Sequence, residues 1–501
     1  MAGDPILYYR LSTGLEWNCA GVSAVFRHNY KHERTTTSPR PIMADSSSTQ
    51  SRCSGKACKN LAVNRHVKIQ AGWLSHPHEV RQFVAKIRDI VDNPHTTPHH
   101  HSTITLGTAV SPGVQRLKTL YNEDPMVRLY MDNMIKEDPI PERDVPNDMK
   151  PMESSEKARE REERVHRPRN VSEMLNMIDF VIKRAPIYTG KDDHAIACPL
   201  NALFDDMMAT PSGFVFFRMK QVNDVFQQIL NEWCQFLCSE DSAAVLNDGK
   251  YGWLNEEAKK VLKLEEIQCN MSKPHGGFHS WNDFFTRRFK EGARPVASPD
   301  DDSVDDYGAH IELTTAGRDL LMRDDIKMRD DFWIKSQPYS LQDMLHNDPR
   351  ASRFVGGTIF QAFLSATSYH RWHSPVNGKV IDFYVVPGTY FSEAESEGYH
   401  TDGLGLSEGY LTASAARGII FIECDDKKLG MIAIVYVGMN EVSSNNFTVK
   451  KEAKVRKGDQ LGYFQFGGST HCIIFEPNVA KGAFKKFKVD QKILLNSQLF
   501  P

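Results

Sequence analysis

The chain has 501 residues and no apolar run long enough to cross a bilayer. The longest, Met431 to Met439, is nine residues counting Gly438, against about 20 for a spanning helix. It also has no Cys-x-x-Cys pair. Its nine cysteines are scattered and odd in number, which argues against a disulfide scaffold or a zinc module and for a reduced, intracellular setting. An excess of positive charge is missing too. Residues 1–70 carry 10 Lys/Arg and 4 Asp/Glu, whereas residues 71–501 carry 51 and 60, a net of −9. So acidic a body speaks against nucleic acid or an anionic membrane as the main partner. What the chain does have is 40% hydrophobic and 25% charged residues. That excludes wholesale disorder and allows about two to four domains.

Residues 1–71 are basic and Ser/Thr-rich. They lack the amphipathic stripe of a transit peptide and read as a disordered tail. A cytoplasmic location is therefore expected, with mitochondrial import as the competing reading. Residues 72–290 read as a mainly helical associated domain. Val80, Phe83, Val84 and Ile87 recur at helical spacing until Asn93-Pro94 stops them. Val114 to Ile135 and Val222 to Leu237 repeat the pattern, and Asn170 with Glu173 resembles a capping box. A charged insert spans 137–169, including Glu156 to Arg164, and reads as a solvated face. The His-rich stretch His95 to His101 reads as solvated as well, so no metal site is expected.

Residues 291–501 read as β-rich. Tyr369 to Val376 and Lys379 to Val386 flank Asn377-Gly378, a hairpin signal, and 418–424 with 431–437 suggest a second hairpin. Further strand is expected over 455–466 and 472–475. The fold class is α+β, a helical N-terminal region followed by a β-rich catalytic region.

Three local features carry chemistry. In Gly467-Gly468-Ser469-Thr470, the glycines permit backbone geometry closed to other residues, and a serine after a strained peptide bond can attack the preceding carbonyl. The competing reading is an ordinary Gly-Gly turn. Tyr369-His370-Arg371-Trp372-His373-Ser374-Pro375 places two histidines three apart. On a strand their rings take opposite faces, so one can serve chemistry while the other packs. A neutral imidazole is the natural base for a serine hydroxyl. Finally, Phe278, Trp281, Phe285 and Phe289 form an aromatic stripe beside Arg287, Arg288 and Lys290. It reads as core, or else as a helix lying on a membrane surface.

Taken together, these features resemble the phosphatidylserine decarboxylase family over about residues 276–490. The resemblance rests on Phe284-Phe285-x-Arg287-x-Phe289, then Arg294-Pro295, then the His370/His373 segment, then Lys457-Gly458-Asp459 leading into Phe466-Gly467-Gly468-Ser469-Thr470. Upstream, Gly72-Trp73-Leu74-Ser75 and the helices that follow look like a soluble, fungal L-tryptophan decarboxylase branch of that family. The resemblance implies a pyruvoyl enzyme. Ser469 attacks the Gly468 carbonyl, the resulting ester eliminates, and hydrolysis leaves a pyruvoyl group at the head of a new chain, 469–501. That group forms a Schiff base with the substrate amine and takes up the electrons left when CO₂ departs. Chains 1–468 and 469–501 stay associated, and a homo-oligomer is compatible with the reading. By the same analogy His373 activates Ser469, and His370 serves decarboxylation and reprotonation. The family's aspartate that orients the base is not matched. His310 stands at its place, with Asp306 and Glu312 nearby.

The leading expectation is decarboxylation of a free L-amino acid, tryptophan first, in a self-cleaved zymogen. The alternative is phosphatidylserine decarboxylation to phosphatidylethanolamine, a step of phospholipid biosynthesis. A third reading, of another class, is an unprocessed, non-enzymatic binding relative.

Overall fold

The strand Gly468–Phe475 (β11) lies in the interior of the larger sheet, third of its seven strands. The computed structural model describes residues 77–92, 109–140, 167–189, 198–299, 304–307, 322–329, 339–364, 367–394, 407–439, 441, 444–466, 468–486 and 493–500. Residues 1–71, His95 to His101, most of the charged insert, His310 and Glu312 lie outside these, and only the backbone of Asp306 is described.

The helical region opens with α1 (Pro77–Asp92), α2 (Pro112–Glu123) and α3 (Pro125–Lys136). The sequence suggests one helix over 114–135, but Pro125 divides it. Asp124 caps the second half by accepting from the N–H groups of Met126 and Val127. Asn170 caps α4 (Val171–Val181), accepting from Glu173 N at 3.0 Å. The returning arm of the box goes to Arg169 N rather than to the cap residue itself. Then come α5 (Pro199–Met208), α6 (Pro211–Phe216), α7 (Lys220–Leu237), α8 (Glu256–Val261) and the short α9 (Trp281–Phe285).

The β-rich region is antiparallel throughout its named strand pairs. Its elements are β1 (Val304–Tyr307), β2 (Met322–Asp324), β3 (Thr358–Leu364), β4 (Arg371–His373), β5 (Gly378–Val386), β6 (Arg417–Cys424), β7 (Met431–Met439), β8 (Ser444–Phe447), β9 (Lys454–Val455), β10 (Gln460–Gln465), β11 and β12 (Leu495–Phe500). Seven form one sheet in the order β2-β3-β11-β7-β6-β5-β9. Three form another, β4-β10-β8, and β1 pairs with β12.

Side chains alternate across β11. Cys472 and Ile474 join the core that includes Trp233, Phe226 and Leu237 of α7. Ile473 and Phe475 join Trp372, Tyr436 and Phe464, between the two sheets. Both faces of the strand are thus buried, which is why 431–439 and 472–475 are near-continuous apolar runs. The result is α+β, a helical N-terminal region followed by a β-rich C-terminal region. No helix among the described residues is long and apolar enough to cross a membrane.

One hairpin is absent. β4 pairs with β10, whereas β5 pairs with β6 and β9, so Asn377-Gly378 joins two sheets instead of two paired strands. The crossing is fixed by main-chain bonds. Ser374 N donates to Asp459 O (2.7 Å), Gly458 N donates to Ser374 O (2.9 Å), and Asp425 N donates to Asn377 O (2.9 Å). Gly378 is needed for close approach, since a Cβ there would lie 2.5 Å from Glu423 O. The second hairpin, β6 to β7, forms as the sequence suggests.

Candidate active site

Ser469 sits inside the seven-stranded sheet, in ladder with Leu364 of β3 on one side and Gly438 of β7 on the other. It is fully buried. No turn contains Ser469, and Gly468 already belongs to the strand. The unusual backbone lies just upstream. Phe466 has φ +23°, in a region that costs a bulky residue about 1–3 kcal/mol. Its buried ring is held among Trp233 (5.7 Å between centroids), Trp281 (6.4 Å) and Phe285 (6.4 Å).

The Ser469 hydroxyl lies 3.3 Å from His370 Nδ1. Either group can donate across this contact, and in the tautomer with Nδ1 bare the serine hydroxyl donates to it. Phe285 lies almost parallel to the His370 ring, 4.3 Å away at 16°, and Phe464 N donates to His370 O at 3.0 Å. The histidine is therefore fixed by α9 on one side and β10 on the other.

His373 is engaged elsewhere. Its Nδ1 donates to Gly458 O at 2.6 Å, and its Nε2 meets the Tyr369 hydroxyl at 2.8 Å. A carbonyl can only accept, so Nδ1 carries the proton and Nε2 of the neutral ring accepts from Tyr369. Burial lowers the pKa of His373, with the Gly458 carbonyl pulling the other way. Burial also pushes Tyr369 up to about 12, which keeps it a donor. Thus the structure brings Ser469, Gly468 and His370 together, and pairs His373 with Tyr369 and the Lys457-Gly458-Asp459 loop.

The opposite face of β11 is pinned next to the serine. Thr470 Oγ1 donates to Ala362 O (3.0 Å) and accepts from Gln361 Nε2 (3.1 Å), and Gln361 in turn accepts from Tyr339. The sequence reading missed Tyr369 as a partner of His373, and it missed Glu441. That buried carboxyl stands two residues past Met439, which pairs with Gly468. Its Oε1 accepts from Leu200 N (2.7 Å) and Asn201 N (2.9 Å) at the start of α5, and burial pushes its pKa up to about 7. An acidic residue two places after nine apolar ones was the available signal.

A family model described as phosphatidylserine decarboxylase matches residues 281–500, and a second of that description matches 111–262. Decarboxylase iboD of Amanita muscaria is 36% identical over 352 residues, covering 64% of this chain and 98% of that protein. L-tryptophan decarboxylase of Psilocybe cubensis is 34% identical over 344 residues, covering 64% and 76%. Phosphatidylserine decarboxylase proenzyme 3 of Schizosaccharomyces pombe is 32% identical over 244 residues, covering 48% and 23%. With these family models and relatives, the chain belongs to the phosphatidylserine decarboxylase family of carboxy-lyases.

Proposed function

We propose that this protein is a pyruvoyl-dependent decarboxylase that cuts itself between Gly468 and Ser469 and releases CO₂ from a free L-amino acid. The observation that carries the reading is the Ser469 hydroxyl, buried in an interior strand and 3.3 Å from an imidazole nitrogen. A buried hydroxyl aimed at a base is poised to become a nucleophile. In this reading His370 Nδ1 takes the Ser469 proton as Oγ attacks the Gly468 carbonyl. The peptide bond gives way to an ester, the ester eliminates to dehydroalanine, and water hydrolyses that residue with loss of ammonia. The residues fit the group this would leave. A pyruvoyl at position 469 would supply a carbonyl that captures an amine and takes up the electron pair released with CO₂. His370 would stay beside it, able to hold or return a proton. His373 acts through Tyr369 rather than on Ser469, whereas the family resemblance gives it the base role.

The similarity to L-tryptophan decarboxylase supports a soluble amine substrate, and tryptophan is the first to test. The net charge of −9 over residues 71–501 points the same way. The experiment is a CO₂-release panel on purified, detergent-free protein, with free L-amino acids and phosphatidylserine vesicles as separate arms. Release from tryptophan or another free amino acid supports the reading. Release from phosphatidylserine alone would replace it with the phospholipid activity.

A further inference from the structure

Arg287 is unusual among the buried charges. It is only 4% exposed. Its Nη2 donates to Thr367 O (2.6 Å) and Ser368 O (3.0 Å), and Nη1 reaches Phe284 O at 3.5 Å. Nε has no hydrogen-bond partner among the described residues. Among the described residues no carboxylate pairs with the guanidinium, and burial pushes it down to about 10. A buried charge without an opposite charge is destabilising, so such groups are normally paired.

Arg287 forms part of the wall of a cleft of about 170 Å³. Lys263 and Arg294 line the same cleft, and its one lining acid, Glu266, is already ion-paired with Arg294. The rest of the wall is largely apolar, with Phe289 inside and Leu494 half-exposed at the C-terminal side. Neither Ser469 nor His370 lines it. A positive, apolar-walled cleft has the chemistry of a site for an anion with a hydrocarbon body. We propose that this cleft binds a small amphiphilic anion, a carboxylate or phosphate ester, with the charge beside Arg287 and the apolar body against Phe289 and Leu494. Tyr369 also lines the cleft and bonds His373, so an occupant would touch the second histidine's partner.

Titration calorimetry on the purified full chain tests this with three probes: hexanoate, dihexanoyl phosphatidate and hexanol. At least one anion should bind at least tenfold tighter than hexanol. Hexanoate alone would mark a free carboxylate as the source, and phosphatidate alone a lipid headgroup. Leu494→Trp, which fills the cleft from its exposed side, should weaken anion binding at least tenfold, as should Arg287→Met. If Arg287→Met does not fold, Leu494→Trp carries the test. Equal binding of hexanol, no anion binding, or unchanged binding in Leu494→Trp would overturn the proposal. The readout is heat of binding, so it stands or falls separately from self-cleavage and CO₂ release.

Discussion

Ser469 and His370 are bonded to each other, while His373 spends both ring nitrogens on Gly458 and Tyr369. This asymmetry predicts how single substitutions behave. His370→Ala should slow appearance of the 469–501 fragment by about 10²–10⁴-fold, the usual cost of losing a general base. His373→Ala should still cut, within about tenfold of the parent rate, a smaller loss than general-base removal brings. A time course by mass spectrometry decides it. Blocked cutting in His373→Ala with normal cutting in His370→Ala would return the base role to His373. A second residue-scale consequence concerns His471, two residues on, which burial alone pushes from 6.5 down to about 3. Unfolded, that ring protonates near pH 6.5, but in the folded chain it stays neutral until about 3. Stability should therefore fall as pH drops below 6.5, by about 1.4 kcal/mol per pH unit. Urea midpoints of the uncut Ser469→Ala chain should show this fall, and adding His471→Asn should flatten it; superimposable profiles would contradict the assignment. Both histidines and the serine were legible from residue type and spacing. Which ring reaches Ser469 was not, because β4 is placed against β10 by main-chain bonds distant in sequence.

α9 does more than its five residues suggest. Phe285 seats the His370 ring, and together with Trp281 it packs on Phe466, three residues before Ser469. One aromatic cluster therefore holds the base and the chain leading to the nucleophile. Phe285→Ala should cost about 3–5 kcal/mol, read as a lowered urea midpoint. It should also slow self-cleavage under conditions where the variant remains folded. Cutting at the parent rate in the folded variant would show that the stack does not position His370. The aromatic stripe was visible at helical spacing, and its reading as core agrees with the burial of Phe278, Trp281 and Phe285, Phe289 being only partly buried. The Asn377-Gly378 hairpin failed for a physical reason. A turn signal reports local backbone tolerance, whereas partner choice here is made by Asp425, Gly458 and Asp459, which bond the connecting segment from two other loops.

At the scale of the molecule, the junction opens a strand that is paired on both of its edges. β11 is paired along its length with β3 and β7, and β12 is paired with β1, so residues 469–501 are bound at both ends of their own sequence. The α+β division was readable because helical periodicity gives way to apolar strand runs near residue 290. The two-sheet arrangement was not, since period and turn chemistry do not encode which strands share a sheet. Cutting the chain at Gly468-Ser469 should leave the fold intact and the two pieces together. The most direct measurement is the intact mass of the purified full-length protein taken from a single gel-filtration peak. The account predicts two co-eluting chains, residues 1–468 and a 33-residue fragment, 469–501, whose first residue has lost its amine and carries a ketone. In Ser469→Ala there should be one chain and no CO₂ release. A single full-length mass in protein that decarboxylates would contradict self-cleavage and the pyruvoyl chemistry built on it.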